Sequence, residues 1–314
     1  MVLITGANGF VGNALVRYLS SRYPVRAAAR ASLGYPNGMY EQFLCLALDD
    51  ESDWSGALKD VTTVIHCAAR AHILKDKSNN PLLEYRRVNV DGTLRLAHQA
   101  AAAGVRRFIF ISSIKVNGEK TELGCPFTAD DVPSPIDPYG ISKWEAERAL
   151  LELAKQTTME VVIIRPPLIY GPGVKANFST LVRLVNSKVP LPLGLLNKNR
   201  RSFVGLENLL SFIRLCMEHP GAANQTFLIS DNHDMSTVEL LENLSSALGV
   251  QLYLIKCPIW ILRILAKVFG KTKMIERVID SLEVDITKSI MRLGWSPVAN
   301  AQEGLKSLAG ELNA

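Results

Sequence analysis

The 314-residue sequence has little of what marks a disulfide scaffold, a metalloprotein, a nucleic-acid binder or a membrane-spanning protein. Its five cysteines, at 45, 67, 125, 216 and 257, are odd in number and fall at no metal-ligand spacing, so they read as free or buried thiols of a reducing compartment, with no metal site. The formal net charge of +5 comes from scattered Lys and Arg with no basic stripe of interleaved aromatics. That excludes nucleic acid as the expected partner and leaves a mild attraction for anionic ligands. The most apolar run, from Ile259 to Phe269, carries Arg263 and Lys267 and is too short to cross a bilayer. It is expected to pack as a helix in the C-terminal region, with a peripheral membrane contact as the alternative. No repeat or low-complexity tract is present; because the sequence opens on an apolar strand, no signal peptide and a cytoplasmic protein are expected.

What is present is a core-forming composition, 48% apolar and 21% charged, with apolar runs and helical stretches in alternation. Strands are expected near 2–5, 25–29, 42–46, 62–66, 106–112 and 160–165, with helices near 11–20, 81–103 and 138–155. The alternation predicts an α/β fold, a Rossmann-type doubly wound parallel sheet. After Tyr170-Gly171-Pro172-Gly173 the order becomes irregular, which predicts a smaller C-terminal substrate-binding lobe. The division expected is 1–170 for the nucleotide-binding domain and 171–314 for the lobe, with a segment near 224–230 returning to the main sheet.

The opening segment, Met1 to Gly12, runs a short apolar strand into Gly6-Ala7-Asn8-Gly9-Phe10-Val11-Gly12 and then an amphipathic stretch. A strand, a tight turn and a helix N-terminus present backbone N–H groups to a pyrophosphate, and glycine lets the backbone approach closely. Gly6, Asn8, Gly9, Phe10, Val11 and Gly12 are therefore candidate dinucleotide contacts.

Far downstream, Tyr139 and Lys143 stand four apart in Asp137-Pro138-Tyr139-Gly140-Ile141-Ser142-Lys143. On a helix such positions share a face, and a cation beside a phenol favours the phenolate, so the pair reads as proton-transfer equipment. Phe108-Ile109-Phe110-Ile111-Ser112-Ser113 reads as a buried strand ending in hydroxyls, where Ser113 reaches a substrate oxygen beside the tyrosine.

With these residues in hand the chain resembles the extended short-chain dehydrogenase/reductase family, in its nucleotide-sugar branch of epimerases, reductases and dehydratases. The likeness runs through His66-Cys67-Ala68-Ala69, Asn89-Val90-Asp91-Gly92-Thr93, Arg165-Pro166-Pro167-Leu168-Ile169-Tyr170-Gly171-Pro172 and Leu293-Gly294-Trp295-Ser296-Pro297. It implies a nicotinamide enzyme with Tyr139 as acid/base, Lys143 holding the ribose and tuning the phenol, and Ser113 binding the reacting oxygen. It also implies cofactor contacts at Ala68, Ala69, Asn89 and Pro166, with Asn89 supporting the proton relay.

Cofactor choice is read at the end of the second strand, where NAD sites place a carboxylate on the ribose and NADP sites a cation. Val25-Arg26-Ala27-Ala28-Ala29-Arg30 has no carboxylate there, so Arg30 favours NADP(H), with NAD(H) the alternative. Relatives often carry Gly-Asp-Leu after the third strand; this chain reads Leu46-Ala47-Leu48, which leaves Leu48 as the adenine-side candidate and Asp49 displaced.

On the substrate side the resemblance implies a UDP-sugar, with the diphosphate and base met by Asn177-Phe178, by Leu193 in Leu191-Pro192-Leu193-Gly194, and by Arg201 in Arg201-Ser202-Phe203-Val204. Dehydratases of the branch need an Asp-Glu pair after the serine, and here those places are Ile114 and Lys115, so dehydration is not expected. The segment from Ser112 to Asp131 is similar to UDP-N-acetylquinovosamine dehydrogenases, which act as 4-ketoreductases. With Arg30 this makes a UDP-sugar 4-ketoreductase for surface-polysaccharide synthesis the leading expectation, with Lys115 near the sugar. A UDP-glucose or UDP-N-acetylglucosamine 4-epimerase is the alternative, and a non-catalytic redox sensor the remote one. The oligomeric state is left open between monomer and homodimer.

Overall fold

Seven parallel strands form the central sheet, in the order β3-β2-β1-β4-β5-β6-β9, in a computed structural model that describes residues 1–32, 34, 40–45, 47–71, 78, 80–174 and 177–312. From the N-terminus come β1 (Val2–Thr5), α1 (Phe10–Ser20), β2 (Val25–Ala29), β3 (Glu41–Leu44), α2 (Ser55–Leu58), β4 (Thr63–His66), α3 (Pro81–Arg86), α4 (Gly92–Ala102) and β5 (Arg107–Ile111). Next are α5 (Pro138–Gln156), β6 (Glu160–Arg165), β7 (Leu168–Tyr170), α6 (Asn177–Asn186), β8 (Phe203–Gly205), α7 (Leu206–Glu218) and β9 (Gln225–Leu228). The chain ends with α8 (Thr237–Leu248), α9 (Ile259–Val268), α10 (Thr272–Ile279), α11 (Thr287–Leu293) and α12 (Ala301–Leu312).

The central strands are covered on both faces, which explains their near-continuous apolar sequences: every residue of β1, β4 and β5 is buried. Chain order reverses between β1 and its neighbours β2 and β4, and that switch point opens a crevice at the carboxyl ends of the strands. The expected doubly wound parallel sheet is the one observed.

One expected element differs. The helix anticipated over 81–103 is interrupted by a π-helical turn at Arg87–Asp91 between α3 and α4. One extra residue in the turn rotates Asn89 inward, where it is 1% exposed. The long α5 starts where chemistry dictates: the Asp137 carboxylate accepts from the Gly140 N–H at 2.7 Å, and Pro138 fills the first turn.

The segment after β6 adds a two-stranded sheet of β7 and β8 in parallel. A separate core gathers Tyr170, Phe178, Leu193, Leu241 and Leu305 beneath α6, α8 and α12. β9 pairs with β6 and closes the far edge of the main sheet.

Candidate active site

The crevice floor is built by close backbone approach. Gly6 takes φ +66°, and a Cβ there would stand 2.7 Å from the Ala68 nitrogen. A Cβ on Gly12 would lie 2.3 Å from the Gly6 carbonyl oxygen. The Gly9 N–H closes the turn onto that oxygen at 2.8 Å. Helix α1 then begins with no side-chain cap and no acidic residue in its first turn, which leaves its N–H groups and positive dipole end available to an anion. A cradle of this shape fits a dinucleotide pyrophosphate. Asn8 is exposed on its rim, while Phe10 and Val11 pack partly against the core.

Beside the cradle, α5 brings Tyr139 and Lys143 to one face. The Tyr139 ring meets Tyr85 edge-on, with centroids 6.1 Å apart, and the Ser113 side chain neighbours the phenol. Burial raises the phenol well above its ordinary value, with Asp137 and Tyr85 adding to the rise; the Ser113 side chain works the other way. The expected tuning by lysine is not the arrangement observed. The Lys143 ammonium, 1% exposed, donates to the Ile111 carbonyl at 2.8 Å and lies 4.2 Å from the Phe110 ring centre. A buried cation needs an acceptor, and the end of β5 supplies one. Burial pushes Lys143 down to about 8, against the pull of Cys67 and Glu147.

Asn89 anchors the loop after β4. Its side chain accepts from the Arg70 N–H at 2.8 Å and donates to the Arg70 carbonyl at 3.1 Å and to the Ser142 hydroxyl at 2.9 Å. Ser142 in turn donates to the Tyr139 carbonyl. Asn89 therefore binds the Ala68–Ala69 loop to α5 through the backbone, a positioning arrangement. Pro166 accepts from the Ile114 N–H at 3.0 Å and so braces the turn after Ser113.

Several residues that the sequence reading did not single out complete the site. Glu147 continues the Tyr139 and Lys143 face at i+8, and its carboxylate meets the Arg165 guanidinium at 2.6 Å, both side chains buried. Ser112 donates to Glu147, and Arg165 also donates to the Asn117 side chain at 2.9 Å. His66, pushed down to about 3 by burial and the Lys143 charge, stays neutral and links the Thr5 and Thr93 hydroxyls at 2.7 and 3.0 Å.

The substrate-side expectations divide. Arg201 is half-buried and donates to the Asp280 carbonyl at 2.8 Å; burial lowers it to about 10, Asp280 and Glu119 oppose that, and Arg277 of α10 lowers it further. The Arg277 charge is also felt at Asp137. Two guanidiniums that repel one another near the start of α5 make a setting that a diphosphate would relieve. Arg277 went unnoticed in the sequence.

Other residues are placed otherwise than expected. Lys115 is ion-paired with Glu119 at 2.8 Å and with Asp137, so its ammonium locks the loop to the α5 cap and is not free to meet a sugar. Phe178 is 1% exposed and stacks on Tyr170, and Leu193 is buried in the same core; apolar side chains in this lobe bury against each other. The Asn177 side chain lies outside the described residues. Arg30 stands exposed just beyond β2. Leu48 lies over α4, where a Cβ on Gly92 would come within 2.8 Å of the Leu48 carbonyl.

Comparison with known proteins adds the following. Residues 2–230 match the NAD dependent epimerase/dehydratase family. A UDP-glucose 4-epimerase of Vibrio cholerae is 48% identical over 310 residues, 98% of this chain and 94% of that one. Among solved structures, MoeE5 in complex with UDP-glucuronic acid and NAD superposes with a TM-score of 0.78 at 25% identity, covering 99% of this chain and 98% of that one. A UDP-glucuronic acid 4-epimerase from Bacillus cereus, in complex with NAD, gives 0.76 at 20% identity over 99% and 98%, a likeness of fold.

Proposed function

We propose that this chain, which belongs to the NAD-dependent epimerase/dehydratase family, is a UDP-hexose 4-epimerase. The observation that carries this reading is the 48% identity to a UDP-glucose 4-epimerase along 98% of the chain. It is supported by the placing of Ser113 beside the Tyr139 phenol, next to a backbone cradle shaped for a pyrophosphate. The ketoreductase and NADP expectations both leaned on Arg30. That residue is an exposed cation, and the two solved structures compared above hold NAD, so we assign NAD.

Gly6, Gly9, Gly12 and the N-terminus of α1 would hold the pyrophosphate, with Ala68, Ala69, Asn89 and Pro166 shaping the wall beside it. The chemistry that a bound nicotinamide supplies is the reversible acceptance of a hydride. Tyr139 takes the proton of the sugar C4 hydroxyl as that carbon is oxidised and returns it when the carbon is reduced. Ser113, beside the phenol, would hydrogen-bond the same sugar oxygen and so hold it in register for proton transfer. Lys143 supplies a buried positive charge beside the cradle and, from its position on α5, a donor for the ribose. Arg201 and Arg277 would hold the diphosphate of the UDP-sugar through both half-reactions.

Dehydration has no support in the geometry. The position after Ser113 is the buried Ile114 and the next is Lys115, paired with two carboxylates, so the two places where dehydratases of the branch carry their acid pair hold no carboxylate.

The test is to incubate the protein and NAD with UDP-glucose and with UDP-N-acetylglucosamine, following the anomeric sugar signals by NMR. The expected result is interconversion with the C4 epimer and no net change in reduced nicotinamide. Tyr139→Phe should lower the rate at least about a thousandfold with little change in cofactor affinity. Stoichiometric consumption of reduced nicotinamide against a 4-keto UDP-sugar, with no epimer formed, would return the assignment to a ketoreductase.

A further inference from the structure

We propose that the α9–α10 hairpin docks this protein onto a membrane surface, with the anionic phospholipid face of a bilayer as its partner. The proposal goes beyond the epimerase reading and does not depend on it.

Helix α9 turns its small inner face to the lobe, where Leu262 and Ala266 are buried. Its outer face is apolar where solvent would favour polar residues. Trp260, Ile264 and Val268, at i, i+4 and i+8, form one stripe and are 64%, 54% and 74% exposed. Phe269 and Met274 extend the apolar surface across the turn into α10. Isolated exposed hydrophobics are ordinary; a contiguous stripe of this kind marks an interaction surface.

Charge selects the partner. Arg263 and Lys267 run beside the stripe at i+3 and i+7 from Trp260, and Lys271 follows at the turn. From Gln251 to Ile275 the sequence holds Lys256, Arg263, Lys267, Lys271 and Lys273 and no Asp or Glu. The hairpin itself, from Ile259 to Ile279, adds Arg277 and the single acid Glu276, so its five cations and one carboxylate give it a net charge of +4 in a chain of +5. A convex face with a protruding tryptophan between cations suits an interface of acyl chains beneath phosphate headgroups. At ten residues α9 is about 15 Å long and cannot span a hydrocarbon core of about 30 Å. No described helix is long and apolar enough to cross a membrane. The contact is therefore one that lies on the surface. The hairpin also carries Arg277 in α10, so the docked unit and a cation felt by Arg201 belong to the same pair of helices.

The experiment is co-sedimentation of the full chain with vesicles of phosphatidylglycerol and phosphatidylethanolamine, and with phosphatidylcholine vesicles, at low and high salt. The expected result is binding to the anionic vesicles that salt reverses, with a blue-shifted tryptophan emission that is lost in Trp260→Phe. Arg263→Gln/Lys267→Gln should weaken partitioning by more than about tenfold, since each cation near an anionic surface contributes about fivefold. Trp260→Ser/Val268→Ser should weaken it comparably, and both variants should keep wild-type turnover on soluble substrate, which shows that they fold. Absence of wild-type binding to anionic vesicles overturns the proposal, as does undiminished binding of both variants. A wild-type protein that ignores vesicles but self-associates, and becomes monomeric in Trp260→Ser/Val268→Ser, assigns the face to a second copy of the chain and overturns it as well.

Discussion

Lys143 donates to the Ile111 carbonyl at 2.8 Å, so the buried ammonium of the candidate site is held by β5 and not by the phenol four residues before it. Burial is the dominant influence on this amine and brings it from its ordinary 10.5 to about 8. Because the folded value lies below the unfolded one, the charged amine costs the fold stability. That cost is fully present below about pH 8 and is relieved as pH rises from about 8 to 10.5. Lys143→Met is expected to stabilise the protein at neutral pH by on the order of 2–3 kcal/mol while removing activity. Thermal unfolding followed at neutral pH and near pH 10 checks it: the gain should shrink at the alkaline end. A variant less stable than wild type at neutral pH would show that the Ile111 and Phe110 contacts outweigh the desolvation.

What the sequence made legible was local. The glycine loop and the Tyr139–Lys143 spacing are set by neighbours within one turn, and the parallel sheet follows from doubly buried apolar runs. What escaped notice joins distant segments. The π-turn adds one residue to a helix without disturbing its apolar pattern, so the pattern alone does not show Asn89 turned inward; only the resemblance pointed to that residue. Glu147 was within reach, since it continues the Tyr139 and Lys143 face by one more turn; its partner Arg165, at the end of β6, was not. Phe178 and Leu193 bury their side chains in the lobe's core, and in sequence an apolar residue reads alike whether it lines a ligand or a core. The partners of Lys115 lie at 119 and 137, and only the fold brings the second to it.

Gly12→Ala is expected to damage both stability and cofactor binding. The added methyl would stand 2.3 Å from the Gly6 carbonyl oxygen and 2.8 Å from its carbon, both backbone atoms that cannot swing aside. The strain should exceed about 2 kcal/mol and push the turn out of its pyrophosphate-shaped form. Gly124→Ala is the control: its φ is +76° but open space surrounds the position, so it should cost about 1 kcal/mol and leave the cofactor untouched. Calorimetric titration of NAD into both variants separates them, and equal affinities would detach Gly12 from the cofactor site.

The Glu147–Arg165 pair is expected to behave as a buried ion pair whose halves cannot be removed singly. Each side chain is no more than 6% exposed, and each would be left as an uncompensated charge. Glu147→Leu or Arg165→Met alone should cost about 3–5 kcal/mol, whereas the double variant should recover much of that loss. Because Ser112 also donates to Glu147, the single variants should disturb the turn that presents Ser113 and lower turnover by more than their KM changes. Additive losses in denaturation would show that the pair is not coupled.

Arg201 and Arg277 are expected to act together on the diphosphate of the substrate and not on its sugar. The Arg277 charge lowers the pKa of Arg201, so the two like charges feel one another, and an anion seated between them would turn that repulsion into attraction. Arg201→Ala should therefore weaken UDP and UDP-sugars alike by roughly ten- to a hundredfold, the loss of about 1.5–3 kcal/mol that a charge-assisted contact represents. Because the diphosphate does not change during the reaction, the loss should appear chiefly in KM with kcat largely preserved. Arg277→Ala should also weaken UDP, but by less than Arg201→Ala, since removing it relieves the repulsion on the arginine that remains. Uridine, which has no phosphate, should bind both variants as it binds wild type. Calorimetric titrations of UDP and uridine into the three proteins decide the matter: a parallel loss of uridine affinity would place the arginines at the base, and unchanged UDP affinity would remove them from the site.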